Sequence, residues 1–249
     1  APVAKENFSI AKDTEDEDEK VKTGDVLSFE MIADASMGDK RLGILKMDVD
    51  CLGLIFAIGL EGKRKSISRI SVLSRSMDMF FAGYINRICD DIYEKWGNNK
   101  NNNWEHKDKV NQIFYIVYSG GDDLLIVGPW SEIPKLAKAI RDEFKEYTCN
   151  NPDINISAGV FFCKPKYPIS LAAKAGDEQL KASKEKEGKA RITLFGDTVE
   201  WANTNNASLN ELLFFGEDLY QYITNDDLSQ KLPRGFVYGL LRKHKQYNG

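Results

Sequence analysis

The chain has 249 residues, of which 34 are Lys or Arg and 38 are Asp or Glu, for a formal net charge of −4. That length suits one large domain, or a domain with a satellite, and it buries a full core without disulfide or metal staples. The mildly acidic balance excludes a globally basic nucleic-acid coat, though not a local basic groove.

Residues 1–27 are polar and charged, and Asp13-Thr14-Glu15-Asp16-Glu17-Asp18-Glu19 carries charge of one sign, which favours an acidic flexible segment. Ser28-Phe29-Glu30-Met31-Ile32-Ala33 predicts a short helix. Arg41 to Asp48 contains a first strand, apolar until it ends in Met47-Asp48-Val49-Asp50. Cys51-Leu52-Gly53-Leu54-Ile55-Phe56 follows as a tight turn or helical start, where Gly53 lets backbone N–H groups face outward. After the basic loop Gly62-Lys63-Arg64-Lys65, residues 66–93 predict a long helix. In it Ile67, Ile70, Leu73, Met77, Phe80, Phe81, Tyr84, Ile85 and Ile88 form a stripe facing a sheet, and Ser66 is the N-cap. Gly97 to Asn103 is a polar surface loop.

Two strands, Ile113 to Tyr118 and Leu124 to Gly128, flank Ser119-Gly120-Gly121-Asp122-Asp123. The glycines supply the turn, so two carboxylates sit at a hairpin tip beside backbone without side chains. Gly-Gly-Asp-Asp alone reads as an ordinary turn. The second acidic pair at the end of the first strand changes that reading.

Residues 130–147 predict a helix capped by Ser131, with Pro134 in its first turn. Ile154, Ile156, Ala158, Val160 and Phe162 alternate as a strand. A helix follows from Ile169 to a C-cap at Gly188, with Lys181, Lys184, Lys186 and Lys189 near its end, and Ala190 to Phe195 is a further strand. Beyond residue 203 the spacing is helical again, once before and once after Pro233. Residues 204–249 read as a small, truncated helical appendage ending in the basic Arg242-Lys243-His244-Lys245. His106 and His244 read as surface residues.

The fold class is α+β. The order β-α-β-β-α-β, then α-β, over residues 28–203 is that of a ferredoxin-like arrangement. In that arrangement the first and third strands are antiparallel neighbours, which brings Asp48 beside Asp122 and Asp123. Magnesium takes carboxylate oxygens, water and substrate phosphates. Such a site suits nucleotidyl transfer with Mg²⁺ or Mn²⁺, which needs charge neutralisation and in-line placement more than a side-chain nucleophile. Cys51, Cys89, Cys149 and Cys163 lack Cys-x-x-Cys spacing and read as reduced, packing thiols. No apolar run spans a bilayer and no signal peptide opens the chain, so the expectation is cytoplasmic with no membrane partner. A chain beginning Ala1-Pro2-Val3 reads as a fragment.

The segment Leu42 to Gly53 resembles the start of the second palm domain in the large signature subunit of type III-A CRISPR effector complexes. Ser66 to Arg75, Tyr118 to Asp123 and Lys231-Leu232-Pro233-Arg234-Gly235-Phe236 are similar to the same family. The resemblance runs from about residue 28 onward. It implies synthesis of cyclic oligoadenylates from ATP, with guide RNA and other effector subunits as partners and target RNA as activator. It implies metal binding by Asp48, Asp122 and the Val49 carbonyl, with Asp50 as a weaker ligand or a structural residue. Asp123 is implied as a ligand or as an aid to hydroxyl activation. Phosphate would rest on the N–H groups of Cys51, Leu52 and Gly53, assisted by Lys184 and Lys189. Ser119, with Gly120 and Gly121, would lie at the nucleotide. The nuclease domain, first palm and zinc-containing region of that family are absent from this sequence. Two other readings stand beside this one. One is a diguanylate cyclase using GTP, whose motif usually continues Glu-Phe where Asp123-Leu124 stands here. The other is a non-catalytic scaffold palm that binds guide RNA and neighbouring subunits.

Overall fold

The computed structural model describes residues 1–10, 19–58, 66–99, 102–202 and 208–224. Ala1–Trp201 forms one compact unit and the chain from Ala202 a second.

The first unit is built on a strand apolar enough to be covered on both sides. Strand β3 (Leu42–Val49) places Leu42, Ile44, Leu45 and Met47 in full burial. Each such side chain contributes about 1.5–3 kcal/mol by leaving water. It is central in a six-stranded sheet with the order β4-β5-β3-β6-β7-β8. The other strands are β4 (Tyr115–Gly120), β5 (Asp123–Pro129), β6 (Ile156–Cys163), β7 (Arg191–Leu194) and β8 (Asp197–Glu200). β3 pairs antiparallel with both β5 and β6, as the palm topology requires. β7 joins β6 in parallel through a helical crossover, and β8 returns on it as a hairpin. β8 was not anticipated; it is short and has no apolar alternation.

Close approaches on opposite faces seat the helices. A Cβ on Gly43 would lie 2.8 Å from Ile133, so α5 (Ile133–Tyr147) presses on one face of β3. On the other face α6 (Ile169–Glu185) lies against Gly159, where a Cβ would sit 2.2 Å from the Leu180 backbone nitrogen. Ser131, expected to cap α5, instead accepts the Met37 N–H at 3.1 Å; Glu132 holds the cap position without a side-chain bond. α6 ends at Glu185, three residues before Gly188, whose φ of +83° turns the chain toward β7.

The long helix is composite. It runs as α3 (Ile67–Met79), a π turn at Phe80–Tyr84 and α4 (Ile85–Gly97). Phe80 meets Phe144 of α5 at 5.1 Å and Tyr84 meets Tyr147 at 5.2 Å between ring centroids. The expected core stripe holds at Met77, Phe80, Phe81, Ile85 and Ile88, while Tyr84 is exposed. Before Met77, Ile67 is 85% exposed and Val72, off the stripe, 64%. Periodicity reports an apolar face but not what covers it.

The segment expected to be flexible is partly folded. β1 (Phe8–Ile10) pairs antiparallel with β2 (Glu19–Val21), and Ala4, Phe8, Val21 and Leu27 are buried. Most of the acidic run lies outside the described residues. His106 is corrected from surface to interior. It is 8% exposed, stacked on Phe8 at 4.7 Å and edge-on to Trp104. Asn102, in the expected surface loop, is also buried and donates to the Trp96 carbonyl. Helix α1 (Phe29–Asp34) is the expected short helix, and Ser28 caps it by accepting the Met31 N–H. In the second unit, α7 (Leu209–Thr224) is the expected helix; the segment after Pro233 lies outside the described residues.

Candidate active site

Antiparallel register places Asp48 of β3 directly opposite Asp123 of β5. The turn between β4 and β5 is Gly121-Asp122, closed by the Gly120 and Asp123 pair. Gly121 takes φ +66°, which a two-residue hairpin with glycine first requires. The Val49 N–H donates to the Asp122 carbonyl at 3.0 Å and locks the turn against the end of β3. Asp48 and Asp123, 75 positions apart in sequence, thus share one rim of the sheet. The long-range pairing the topology predicted is present.

Each carboxylate has a distinct setting. Asp48 forms an ion pair with Lys184 of α6, with 2.5 Å from Nζ to Oδ1. The same ammonium lies 3.5 Å from the Val49 carbonyl. Asp122 lines a hollow together with Leu52, Phe56, Ile70, Arg75 and Asp78. Partial burial pushes its carboxyl above the usual range, and the neighbouring anions Asp48 and Asp123 push it further; Lys184 partly offsets them. Asp123 accepts from the Tyr118 hydroxyl at 3.1 Å. The Asp78 carboxylate accepts from the Gly121 N–H at 3.3 Å and ties α3 to the turn.

Asp50 is not at the rim. It is 5% exposed and accepts the Ser157 hydroxyl, 2.9 Å from either carboxylate oxygen, and the Ala190 N–H at 3.0 Å. Of its two expected roles the structure supports the structural one, because its oxygens are committed to β6 and to the start of β7. Burial raises its pKa. Ser119 is likewise committed. Its hydroxyl donates to the Phe81 carbonyl at 2.6 Å, inside the π turn, so it anchors β4 to the helix rather than facing a nucleotide.

After Asp50 the chain reverses at Cys51, whose φ is +57°, and enters α2 (Leu52–Ile58). The Leu54 and Ile55 N–H groups both bond the Cys51 carbonyl, while Leu52 and Gly53 precede them at the helix start. Space is open around Gly53, as a Cβ there would meet nothing within 4 Å. Lys189, itself at φ +46°, brings its ammonium to 3.2 Å from the Cys51 sulfur. Lys184, Lys189 and the Cys51-to-Gly53 turn therefore gather at the same end of β3 as Asp48.

Lys46, Tyr118 and Asp177 escaped sequence reading. Lys46 Nζ is 2.6 Å from the Tyr118 hydroxyl and 2.8 Å from Asp177 of α6. The signal was available in part. Lys46 interrupts an apolar strand two positions before Asp48, hence on the same face.

Among the described residues, no three Cys, His, Asp or Glu groups stand close enough to form a metal cage by themselves. Magnesium does not demand one. It binds through one or two carboxylates and completes its shell with water and phosphate. Asp48, Asp122 and the Val49 carbonyl are such a partial set, and the anion crowding at Asp122 is what a cation relieves.

A ferredoxin-like sheet with carboxylates on a central strand and on the adjacent hairpin defines a palm domain of the nucleotide-cyclase type. The chain belongs to the Cas10/Cmr2 family, whose second palm domain matches residues 41–193. It is 38% identical over 191 residues to the CRISPR system single-strand-specific deoxyribonuclease Cas10/Csm1 (subtype III-A) of Methanocaldococcus jannaschii, covering 71% of this chain and 23% of that protein. The corresponding protein of Mycobacterium tuberculosis is 32% identical over 214 residues, covering 82% of this chain and 24% of that one. The chain thus spans about a quarter of the length of these relatives. Among solved structures, a Csm1–Csm4 cassette in complex with AMPPNP superposes with a TM-score of 0.66 at 29% identity, over 90% of this chain and 31% of its own. A Csm1–Csm4 cassette in complex with cA4 gives 0.64 at 26%, over 98% and 33%.

Proposed function

We propose that this chain carries the nucleotidyl-transfer site that makes cyclic oligoadenylates from ATP within a cytoplasmic type III-A CRISPR effector complex. The observation that carries this reading is the Asp48 and Asp123 register with Asp122 beside it. Its support from relatives is that Csm1–Csm4 cassettes of similar fold are solved in complex with AMPPNP, pppApA and cA4. Guide RNA, the other effector subunits and an activating target RNA are the partners that the family membership suggests. Among the described residues no helix is long and apolar enough to cross a membrane.

In the reaction a 3′ oxygen attacks the α-phosphorus of a second ATP. The bond from that phosphorus to the bridging oxygen breaks, and pyrophosphate leaves. A Mg²⁺ or Mn²⁺ ion held by Asp48, Asp122 and the Val49 carbonyl would supply charge neutralisation of the triphosphate. The remaining work falls to the chain. Lys184 balances Asp48, and its ammonium, 3.5 Å from the Val49 carbonyl, would lie beside the triphosphate. Lys189 and the N–H groups of Cys51, Leu52 and Gly53 give further phosphate donors. Asp123 faces the rim with one oxygen held by Tyr118, and its other oxygen would take the proton of the attacking hydroxyl.

The GTP reading is disfavoured because the ligands of the structural neighbours are adenine nucleotides. A scaffold reading leaves unexplained why Asp48, Asp122 and Asp123 gather at one rim, where partial burial and then the two neighbouring anions raise the Asp122 pKa. Replacing Asp122 and Asp123 together with alanine in the intact effector complex is expected to abolish conversion of labelled ATP while assembly persists. Unchanged product, or incorporation of GTP in place of ATP, overturns the assignment.

A further inference from the structure

Asp48 and Asp123 face each other across the register, and each already has one oxygen engaged. Lys184 holds Asp48 directly. Asp123 is held by a longer chain of contacts. Asp177 of α6 pairs with Lys46, Lys46 reaches the Tyr118 hydroxyl, and that hydroxyl donates to Oδ2 of Asp123. The Lys46 ammonium also stands 5.1 Å from the centroid of the Tyr118 ring.

The arrangement is built rather than incidental. The Lys46 side chain is only 13% exposed and threads between the sheet and α6. The path exists because α6 carries glycine at 176, where a Cβ would press to 3.3 Å from Lys46 Cγ. The ammonium donates to the Tyr118 oxygen, so the single Tyr118 proton is directed to the carboxylate. A donor fixed on Oδ2 leaves Oδ1 to act and fixes the plane of the carboxylate.

We infer that Lys46 and Tyr118 are positioning residues that aim the Asp123 carboxylate at the attacking hydroxyl, with Asp177 as their anchor. This deepens the nucleotidyl-transfer reading and rests on it. A carboxylate that rotates freely spends only part of its time in a reactive geometry, and misplacement of about 1 Å costs on the order of 100-fold in rate. The contact concerns orientation, so its loss should lower the chemical step and leave ground-state substrate binding nearly intact.

The test uses Tyr118→Phe in the intact effector complex, which keeps the ring and removes only the hydroxyl. The expected result is a fall of about ten-fold or more in kcat, with KM for ATP and the affinity for AMPPNP with Mn²⁺, followed by paramagnetic resonance, changed less than about two-fold. Lys46→Met is expected to match it, the double variant to be no worse than either, and Lys46→Arg to recover most of the rate. Thermal melting checks that each variant is folded. An unchanged kcat in Tyr118→Phe overturns the inference, as does an equal loss of AMPPNP affinity, or additive effects of the two substitutions. Asp123→Ala separates the two levels. If it abolishes turnover while Tyr118→Phe does nothing, the positioning role fails and the site stands. If Asp123→Ala with Asp122→Ala leaves turnover intact, the site itself fails.

Discussion

Asp50 and Asp122 carry the same functional group and meet opposite surroundings. Asp122 has neighbours that share its charge and a hollow in front of it. Asp50 has a hydroxyl and a backbone N–H wrapped around its oxygens. Burial is the largest influence on Asp50 and raises its pKa, against the lowering effects of Ser157, Ala190, Lys184 and Lys189. A carboxyl whose folded pKa exceeds the unfolded value of 3.8 favours the folded state at low pH, and that contribution is lost as pH rises through the folded value. Asp50→Asn retains an acceptor and cannot ionise. Its stability relative to the native chain is therefore expected to improve as pH rises from below 3.8 through the raised value, as read by denaturant titration at several pH values. A difference that is flat across that range would mean that Asp50 is not strained by ionisation. For Asp122 the same direction of shift bears on metal binding. Its ionised form is the one that suits a cation, so Mn²⁺ binding to the metal-free chain, followed by paramagnetic resonance, should weaken as pH falls.

At the scale of elements, the site depends on α6 lying flat against β6. Gly159 is the contact that permits this, because any Cβ would collide with backbone at 2.2 Å from the Leu180 nitrogen and 2.6 Å from the Gly176 carbonyl. Backbone cannot rotate aside as a side chain can. Gly159→Ala is expected to destabilise the domain by about 3 kcal/mol or more, the upper end for overpacking. It should also lift Lys184 from Asp48, and turnover should fall even at temperatures where the chain remains folded. Gly53→Ala is the contrasting case, since space there is open and the change should alter stability by no more than about 1 kcal/mol. Calorimetric melting of the two variants checks both. The central strand was legible in the sequence because its aliphatic run, with Leu42, Ile44, Leu45 and Met47, is buried on both faces. The Asp48 and Asp123 meeting was legible because the β-α-β-β-α-β order allows few topologies. Three things were not legible. The break in the long helix lies inside an unbroken 3.6-residue stripe, since a π turn adds one residue without changing composition. The inward turn of Asp50 depends on Ser157 and Ala190, partners more than 100 residues away. His106 owes its burial to Phe8, from a segment whose charge suggested no fold at all.

The whole molecule sets a different limit. Joining ATP units requires a triphosphate donor and, against it, the 3′ hydroxyl of another nucleotide. The described residues hold one rim where carboxylates from β3 and the β4–β5 turn converge, with Lys184 and Lys189 beside it. One rim grips one triphosphate. The second nucleotide must be presented from another surface, and this chain spans about a quarter of the length of its relatives. The isolated chain is therefore expected to bind one AMPPNP per molecule in titration calorimetry with Mn²⁺. It should form cyclic product at least 100-fold more slowly than the intact complex, since an unpositioned second reactant forfeits the gain that placement provides. Binding to the isolated chain should weaken with Lys184→Met and Lys189→Met, because phosphate then loses its charged donors. Two equivalent sites on the isolated chain, or ring synthesis at the rate of the full assembly, would show that the acceptor is also held here and that a single rim does the work of two.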